Sequence, residues 1–177
     1  MMGMPANILL RVRTQDRALM LRCAMDPAAP RLSRAGWTAI THLGGTGPSL
    51  LAAGLPWFAC CDLHQASKLA LLTVVISHVI VQLIKRTVAR TRPAKVERFV
   101  SLVSEPDCFS FPSGHATASM SVALAYGVFF PGWSVPLLLA ALLVGFSRVR
   151  LRVHYPSDAL VGQLIAALTT SVLAVLV

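Results

Sequence analysis

Five apolar stretches alternate with polar ones along this chain, and their lengths predict membrane-crossing helices. The first runs over about 36–61 and is interrupted by His42-Leu43-Gly44-Gly45-Thr46-Gly47-Pro48. It predicts a short helix, a Gly-rich break, then a spanning helix from about 49 to 61. The others cover about 68–84, 115–131, 134–147 and 157–177. At 1.5 Å per residue, stretches of roughly 17 to 21 residues approach the ~30 Å hydrocarbon core. The first and fourth are shorter, so each must borrow flanking residues or sit in a thinner bilayer. Pro131-Gly132 predicts a tight turn, and residues 62–67 join the first stretch to the second.

Residues 1–34 have a different pattern. Arg11, Arg13, Arg17, Arg22, Arg31 and Arg34 are interleaved with Leu and Met. Ile8, Leu9, Val12, Leu19, Met20 and Leu21 fit one face of a helix, as in basic amphipathic segments that lie among lipid headgroups. A loosely ordered tail fits the same composition. Asp26-Pro27-Ala28-Ala29-Pro30 stops any helix there. The expectation is an all-α, polytopic membrane helix bundle over 35–177, with five spanning segments and an interfacial segment over 1–34.

Composition supports a membrane protein. Only 13% of the residues are charged and 55% are hydrophobic, against about 25% charged in a soluble domain. Net charge is +9, which favours anionic headgroups or phosphate-bearing substrates. Nucleic acid is a poor partner, because the basic residues lie in loops between apolar runs without a nucleic-acid motif. No obligate protein partner is evident. The four cysteines form no Cys-x-x-Cys pair; Cys60 and Cys61 are expected to pack as small hydrophobes, and Cys108 to be structural. The first 30 residues lack the pattern of a cleaved signal peptide.

Alternating crossings place the loops at 85–114 and 148–156 on one face with the N-terminal segment. That face collects all of the 16 Lys and Arg residues except Lys68. One loop ends in Phe111-Pro112-Ser113-Gly114-His115, where a Ser suited to helix capping, a Gly and an imidazole meet a helix start. Helix N-termini bind anions, and a His there is a candidate acid or base. The other loop carries His154 and, four residues on, Asp158 in the first turn of the last helix. A carboxylate so placed can fix the tautomer of His154 and leave its other nitrogen as a nucleophile. Lys85, Arg92 and Arg148, with Ser113 and the Gly114 N–H, can hold a phosphoryl group, whose transfer needs positioning and positive charge above all. No carboxylate cluster suits a metal, so no metal or cofactor is expected.

Three motifs occur in order: Lys85-x6-Arg92-Pro93, Pro112-Ser113-Gly114-His115, and Ser147-Arg148-x5-His154-x3-Asp158. Together they resemble the type 2 phosphatidic acid phosphatase (PAP2) superfamily, with no motif position departing. The resemblance implies His154 as nucleophile, His115 as general acid and Asp158 as the partner of His154. It implies Lys85, Arg92, Ser113, Gly114 and Arg148 as phosphate ligands. It further implies a six-helix core, here with the first helix missing or reduced to the interfacial segment. The substrate would be a lipid phosphate or diphosphate, with an undecaprenyl-type polyprenyl diphosphate or polyprenyl-linked phosphate preferred. Phosphatidylglycerol phosphate, phosphatidic acid and lipid A phosphates are alternatives, as is transfer to a second lipid. A non-enzymatic lipid binder would have no use for the His154–Asp158 pair.

Other residues have plainer readings. Arg86 and Arg90 suit snorkelling anchors, and Arg150 and Arg152 suit headgroup contacts. Trp37, Trp57 and Trp133 suit interface anchors. His42, His64 and His78 lack catalytic company, although an intramembrane His such as His78 merits a test. The Gly44-Gly45-Thr46-Gly47 run lacks the Gly-Lys-Ser/Thr of a phosphate loop and suits a bend. The positive-inside rule puts the basic face in the cytoplasm, whereas the resemblance implies a periplasmic site at a bacterial inner membrane. Phosphate-binding cations bias the charge count, yet the six N-terminal arginines still point to the cytoplasm; the periplasmic placement is what the resemblance implies.

Overall fold

A computed structural model describes residues 6–59, 61–105 and 107–177, with the side chains of 6–9 and 62 outside the description. The packing of Cys60 and the facing of Ile8 and Leu9 therefore lie outside the described residues. Eight α-helices follow in order: α1 (Ala6–Cys23), α2 (Arg31–Leu43), α3 (Thr46–Gly54), α4 (His64–Val88), α5 (Pro93–Glu97), α6 (Gly114–Phe129), α7 (Ser134–Arg150) and α8 (Pro156–Ala174). Among the described residues there is no strand, only an isolated bridge between Thr91 and Phe109.

α6 is the central helix, packed against α4, α7 and α8. Its buried positions are mostly small: Ala116, Thr117, Ala118, Ser121, Ala123 and Ala125. Small residues let apolar helices approach closely where no hydrophobic driving force separates helix from lipid. Hydrogen bonds cross the same interfaces, with Ser77 and Ser121 hydroxyls 3.1 Å apart and Gln163 Nε2 donating to the Ala141 carbonyl at 3.2 Å. The outward residues of α7 and α8, including Leu139, Leu142, Leu143, Leu160, Leu164 and Leu168, are exposed and apolar. Such a surface suits lipid.

Three stretches, His64–Val88, Pro131–Arg150 and Pro156–Ala174, are long and apolar enough to cross a membrane. α6 and the α2–α3 pair account for the other two of the five expected segments. The first segment differs in detail from expectation. Its break is confined to Gly44 and Gly45, and α3 takes Gly47 and Pro48 into its first turn, where Pro is tolerated. α3 ends at Gly54, before a 3-10 turn over Leu55–Phe58, so no spanning helix covers 49–61. The break is tight for a reason: a Cβ on Gly44 would lie 2.6 Å from the His115 carbonyl oxygen and 2.5 Å from Val144 Cγ1. Cys61 is exposed in the turn before α4 and does not pack as a small hydrophobe.

α4 and α7 run further than the apolar pattern suggested, to Val88 and Arg150. Lys85, Arg86, Arg148 and Arg150 thus lie in final helical turns, where cations meet the negative end of the helix dipole. The N-terminal segment forms α1, not a loose tail. Met20 is fully buried against Val149 and Tyr155. Arg150 donates to the Cys23 carbonyl at 3.0 Å and Arg152 to the Met25 carbonyl at 2.8 Å. These arginines satisfy carbonyls at the end of α1, which lack helical partners, and do not reach out as headgroup contacts. Trp37 packs edge-on to Phe146 at 5.6 Å beneath Arg150, so it too has an internal role.

Close approach of α8 to α6 depends on Gly162, where a Cβ would stand 2.6 Å from the Ser113 carbonyl oxygen and 2.7 Å from Thr117 Oγ1. Gly162→Ala is expected to cost about 1–3 kcal/mol by overpacking and to lower the thermal midpoint in detergent. Gly36→Ala, where nothing lies within 4 Å, serves as the control and is expected to be neutral or slightly stabilising.

Candidate active site

The three polar motifs converge because α6 and α8 start side by side. The Ser113 N–H donates to the Asp158 carbonyl at 2.9 Å, tying one helix start to the other. Ser113 is the buried N-cap of α6, its Oγ accepting from the Ala116 N–H at 3.5 Å. Beyond the cap opens a cavity of about 540 Å³. Lys85 from α4, Arg92 from the following loop, Gly114 and His115 from α6, Arg148 from α7 and His154 from the α7–α8 turn line it. A Cβ on Gly114 would meet nothing within 4 Å, so bare backbone faces open space there. Two of the expected residues stand back from the cavity: Ser113 at the cap, and Asp158 behind His154.

His154 is 2% exposed. Its Nδ1 lies 3.4 Å from Asp158 Oδ2, and its Nε2 is 3.3 Å from Arg92 Nη1. Burial pushes the His154 pKa down to about 4; Asp158 opposes the shift, and the Arg148 and Arg92 charges reinforce it. The imidazole is therefore neutral at pH 7, with its Nε2 lone pair turned to the Arg92 guanidinium.

The cations are held at different strengths. Arg92 is fully buried and donates to the Val153 carbonyl and the Asp107 carbonyl, each at 2.9 Å, and to Asp107 Oδ1 at 2.8 Å. Lys85 donates to the other Asp107 oxygen at 2.5 Å. Burial alone would raise the Asp107 carboxyl, but Lys85 and Arg92 together hold it below the usual range. Arg148 donates to Thr41 Oγ1 at 2.9 Å through one nitrogen, while its Nε and Nη2 are buried without a partner among the described residues. Buried guanidinium N–H groups without acceptors are costly, and they border a cavity suited to an anion.

Comparison with known proteins follows the same residues. The sequence profile of the PAP2 superfamily matches residues 67–177. The chain belongs to the PAP2 superfamily. Relatives include a lipid A 1-phosphatase of Rhizobium etli, 34% identical over 51% of this chain and 41% of its own. A decaprenylphosphoryl-5-phosphoribose phosphatase of Mycobacterium tuberculosis is 41% identical over 52% of this chain and 50% of its own. The chain spans about half the length of these curated relatives. Among solved structures, the transmembrane PAP2-type phosphatidylglycerolphosphate phosphatase of Bacillus subtilis superposes with a TM-score of 0.71 at 26% identity, covering 91% of this chain and 85% of that one. LpxE of Aquifex aeolicus gives 0.73 at 25%, covering 88% and 92%. These likenesses and the three apolar helices mark a membrane protein.

Around the PAP2 motifs lies a layer of contacts that the motifs do not contain. Arg90 is not a snorkelling anchor. Its Nη1 donates to Asp158 Oδ1 at 2.8 Å and its Nη2 to Asp16 Oδ2 at 2.7 Å. Asp16, buried on α1, also accepts the Ser157 N–H at 2.9 Å and the Ser157 hydroxyl at 2.5 Å. The Ser110 hydroxyl and the Tyr155 N–H, the latter at 2.8 Å, both donate to Asp158 Oδ2. Asp16 left one trace in the sequence, as the sole acid among the first 25 residues; Asp107, Ser110 and Thr41 left none. His78 was expected to stand apart but lines the cavity, 3.2 Å from Gln82. His64 stacks on Trp57. Cys108 is exposed, so it does not pack as a structural residue. Among the described residues no group of three His, Cys, Asp or Glu side chains is placed to hold a metal ion.

Asp16→Asn removes the charge that seats α1 on Arg90 and Ser157. It is expected to cost about 1–3 kcal/mol and to speed amide hydrogen exchange through α1 in detergent micelles. Unchanged exchange would show that the Met20 contact suffices to hold the helix.

Proposed function

We propose that this protein is an integral-membrane lipid phosphatase that works through a phosphohistidine on His154, without a metal. The observation that supports this most is the buried, neutral imidazole of His154 in a cavity that also contains Arg148 N–H groups lacking an acceptor. In this reading Lys85, Arg92, Arg148 and the Gly114 backbone bind the phosphoryl oxygens, which displace Asp107 from the cations. Ser113 caps α6 and keeps its first N–H groups aimed at the anion. His154 Nε2 attacks phosphorus, the bond from phosphorus to the leaving oxygen breaks, and His115 supplies that oxygen with a proton. Water then attacks phosphorus as His115 takes its proton, the N–P bond breaks, inorganic phosphate is released, and the His154 imidazole and the His115 proton are restored. Asp158, fixed by Arg90 and Ser110, orients the ring and offsets its positive charge.

The substrate class is a lipid phosphate or diphosphate, with polyprenyl-linked phosphates and polyprenyl diphosphates first. The named activities of the relatives support this, spanning lipid A, decaprenylphosphoryl-5-phosphoribose, undecaprenyl diphosphate and phosphatidylglycerophosphate. We place the site at the outer face of a bacterial inner membrane. Five of the cations that argue for the inner face are engaged inside the protein: Arg90, Arg92, Arg148, Arg150 and Arg152 all make internal hydrogen bonds.

Phosphate release by purified protein in detergent tests the reading. Release is expected to survive EDTA and to fall at least about a thousandfold in His154→Ala, as for loss of a covalent nucleophile. Loss with EDTA, or activity in the mutant, would defeat the assignment. The pH profile gives a second check. A neutral nucleophile with a pKa of about 4 puts its acid limb of kcat/KM near pH 4, after correction for the substrate's own titration. A limb from this residue at pH 6.5 would mean that the imidazole is not buried in the working enzyme.

A further inference from the structure

His78 and Gln82 are polar residues inside a membrane-length helix, a placement that is costly and marks function more often than packing. They lie four residues apart on α4, and Lys85 follows three residues after Gln82. Spacings of four and three keep side chains on one helical face, and all three line the same cavity. A rise of 1.5 Å per residue puts Gln82 about 4.5 Å and His78 about 10 Å deeper than Lys85 along the helix. The pair shares one hydrogen bond of 3.2 Å, leaving further donor and acceptor capacity on both side chains. Around them the cavity is apolar, with Leu50, Val75 and Val79 exposed toward the lipid side between α3 and α4. The cavity volume of about 540 Å³ far exceeds what one phosphoryl group fills.

We propose that His78 and Gln82 form a polar subsite for the alcohol that carries the scissile phosphate, and that this alcohol is itself hydroxylated or ester-linked, as in a glycosyl or glyceryl lipid. The proposal rests on the phosphatase reading above and narrows its substrate class: polyprenyl-linked sugar phosphates stay within it, whereas a phosphate or diphosphate attached directly to the polyprenyl chain falls outside. A phosphate or diphosphate attached directly to a polyprenyl chain turns to hydrocarbon within one linkage of its inner phosphate. It would bury His78 against that hydrocarbon with no partner beyond Gln82. A sugar or glycerol unit instead carries hydroxyl or ester oxygens over the depth that the pair occupies. Hydrogen-bonding imidazole and amide groups suit such oxygens, whereas the cations above suit the phosphate.

The test compares two substrates with one scissile phosphate each: phosphatidylglycerol phosphate, with a polar leaving alcohol, and farnesyl phosphate, with a hydrocarbon one. Wild type, Gln82→Leu, His78→Leu and the conservative His78→Asn are assayed in the same detergent, with His154→Ala alongside. The ratio of kcat/KM for the polar over the hydrocarbon substrate is expected to fall about tenfold in each leucine variant, and less in His78→Asn. An equal loss on both substrates, or an unchanged ratio, overturns the subsite. If one leucine variant does not fold, the ratio in the other decides. Turnover that persists in His154→Ala would instead bring down the His154 nucleophile, and no turnover of either substrate by wild type the phosphatase reading, so these failures are separable from that of the subsite.

Discussion

The Asp158 carboxylate is fully buried in the first turn of α8, and donors from three separate parts of the chain converge on it. Arg90 takes one oxygen; the Ser110 hydroxyl and the Tyr155 N–H take the other. A carboxylate removed from water with fewer partners would be strongly destabilising or would protonate. Satisfying it requires the loop after α4, the loop before α6 and the start of α8 to meet at one point. The Ser113 N–H to Asp158 carbonyl bond closes the same junction through the backbone. His154 hangs from this junction, which fixes where its ring can lie.

Positive charge is concentrated on the other side of the ring. Lys85, Arg92 and Arg148 all border one cavity, and the Arg148 and Arg92 charges oppose protonation of His154 there. Asp107 bridges Lys85 and Arg92 and offsets one of their two charges, which stabilises the cluster without a ligand. Arg148 is left with unpartnered donors. The two carboxylates thus divide the work: Asp158 is locked from behind by residues that do not face the cavity, whereas Asp107 lies within the cavity on the cations that an anion would use.

α1 extends this logic to the N-terminal segment. Asp16 holds the far side of Arg90 and the start of α8 through Ser157. The helix is also held by the Met20 contact and by Arg150 and Arg152 on its terminal carbonyls. A segment that looks like an independent basic amphipathic helix is in fact part of the scaffold behind the Asp158 carboxylate.

Much was legible in the sequence because it is local or periodic. Apolar length marks helices, and the Lys85-to-Pro93, Pro112-to-His115 and Ser147-to-Asp158 spacings mark the family and the cavity residues, since each motif sits within one turn or one helix end. Helix ends were harder to read: α4 and α7 continue through their cations because the dipole favours them there, and hydropathy alone stops short. Contacts between distant segments left almost no trace. Asp16 with Arg90, Asp107 with Lys85, and Thr41 with Arg148 pair residues 74, 22 and 107 positions apart, and no periodicity encodes such pairings. His78 belonged to the cavity only because α4 turns that face toward α6. The sequence by itself determined which residues are polar, which are apolar and how they are spaced along each helix. Which face of each helix meets which neighbour, and therefore which charges are paired and which stay open, was decided only when close packing of the small residues on α6 brought the helix ends together.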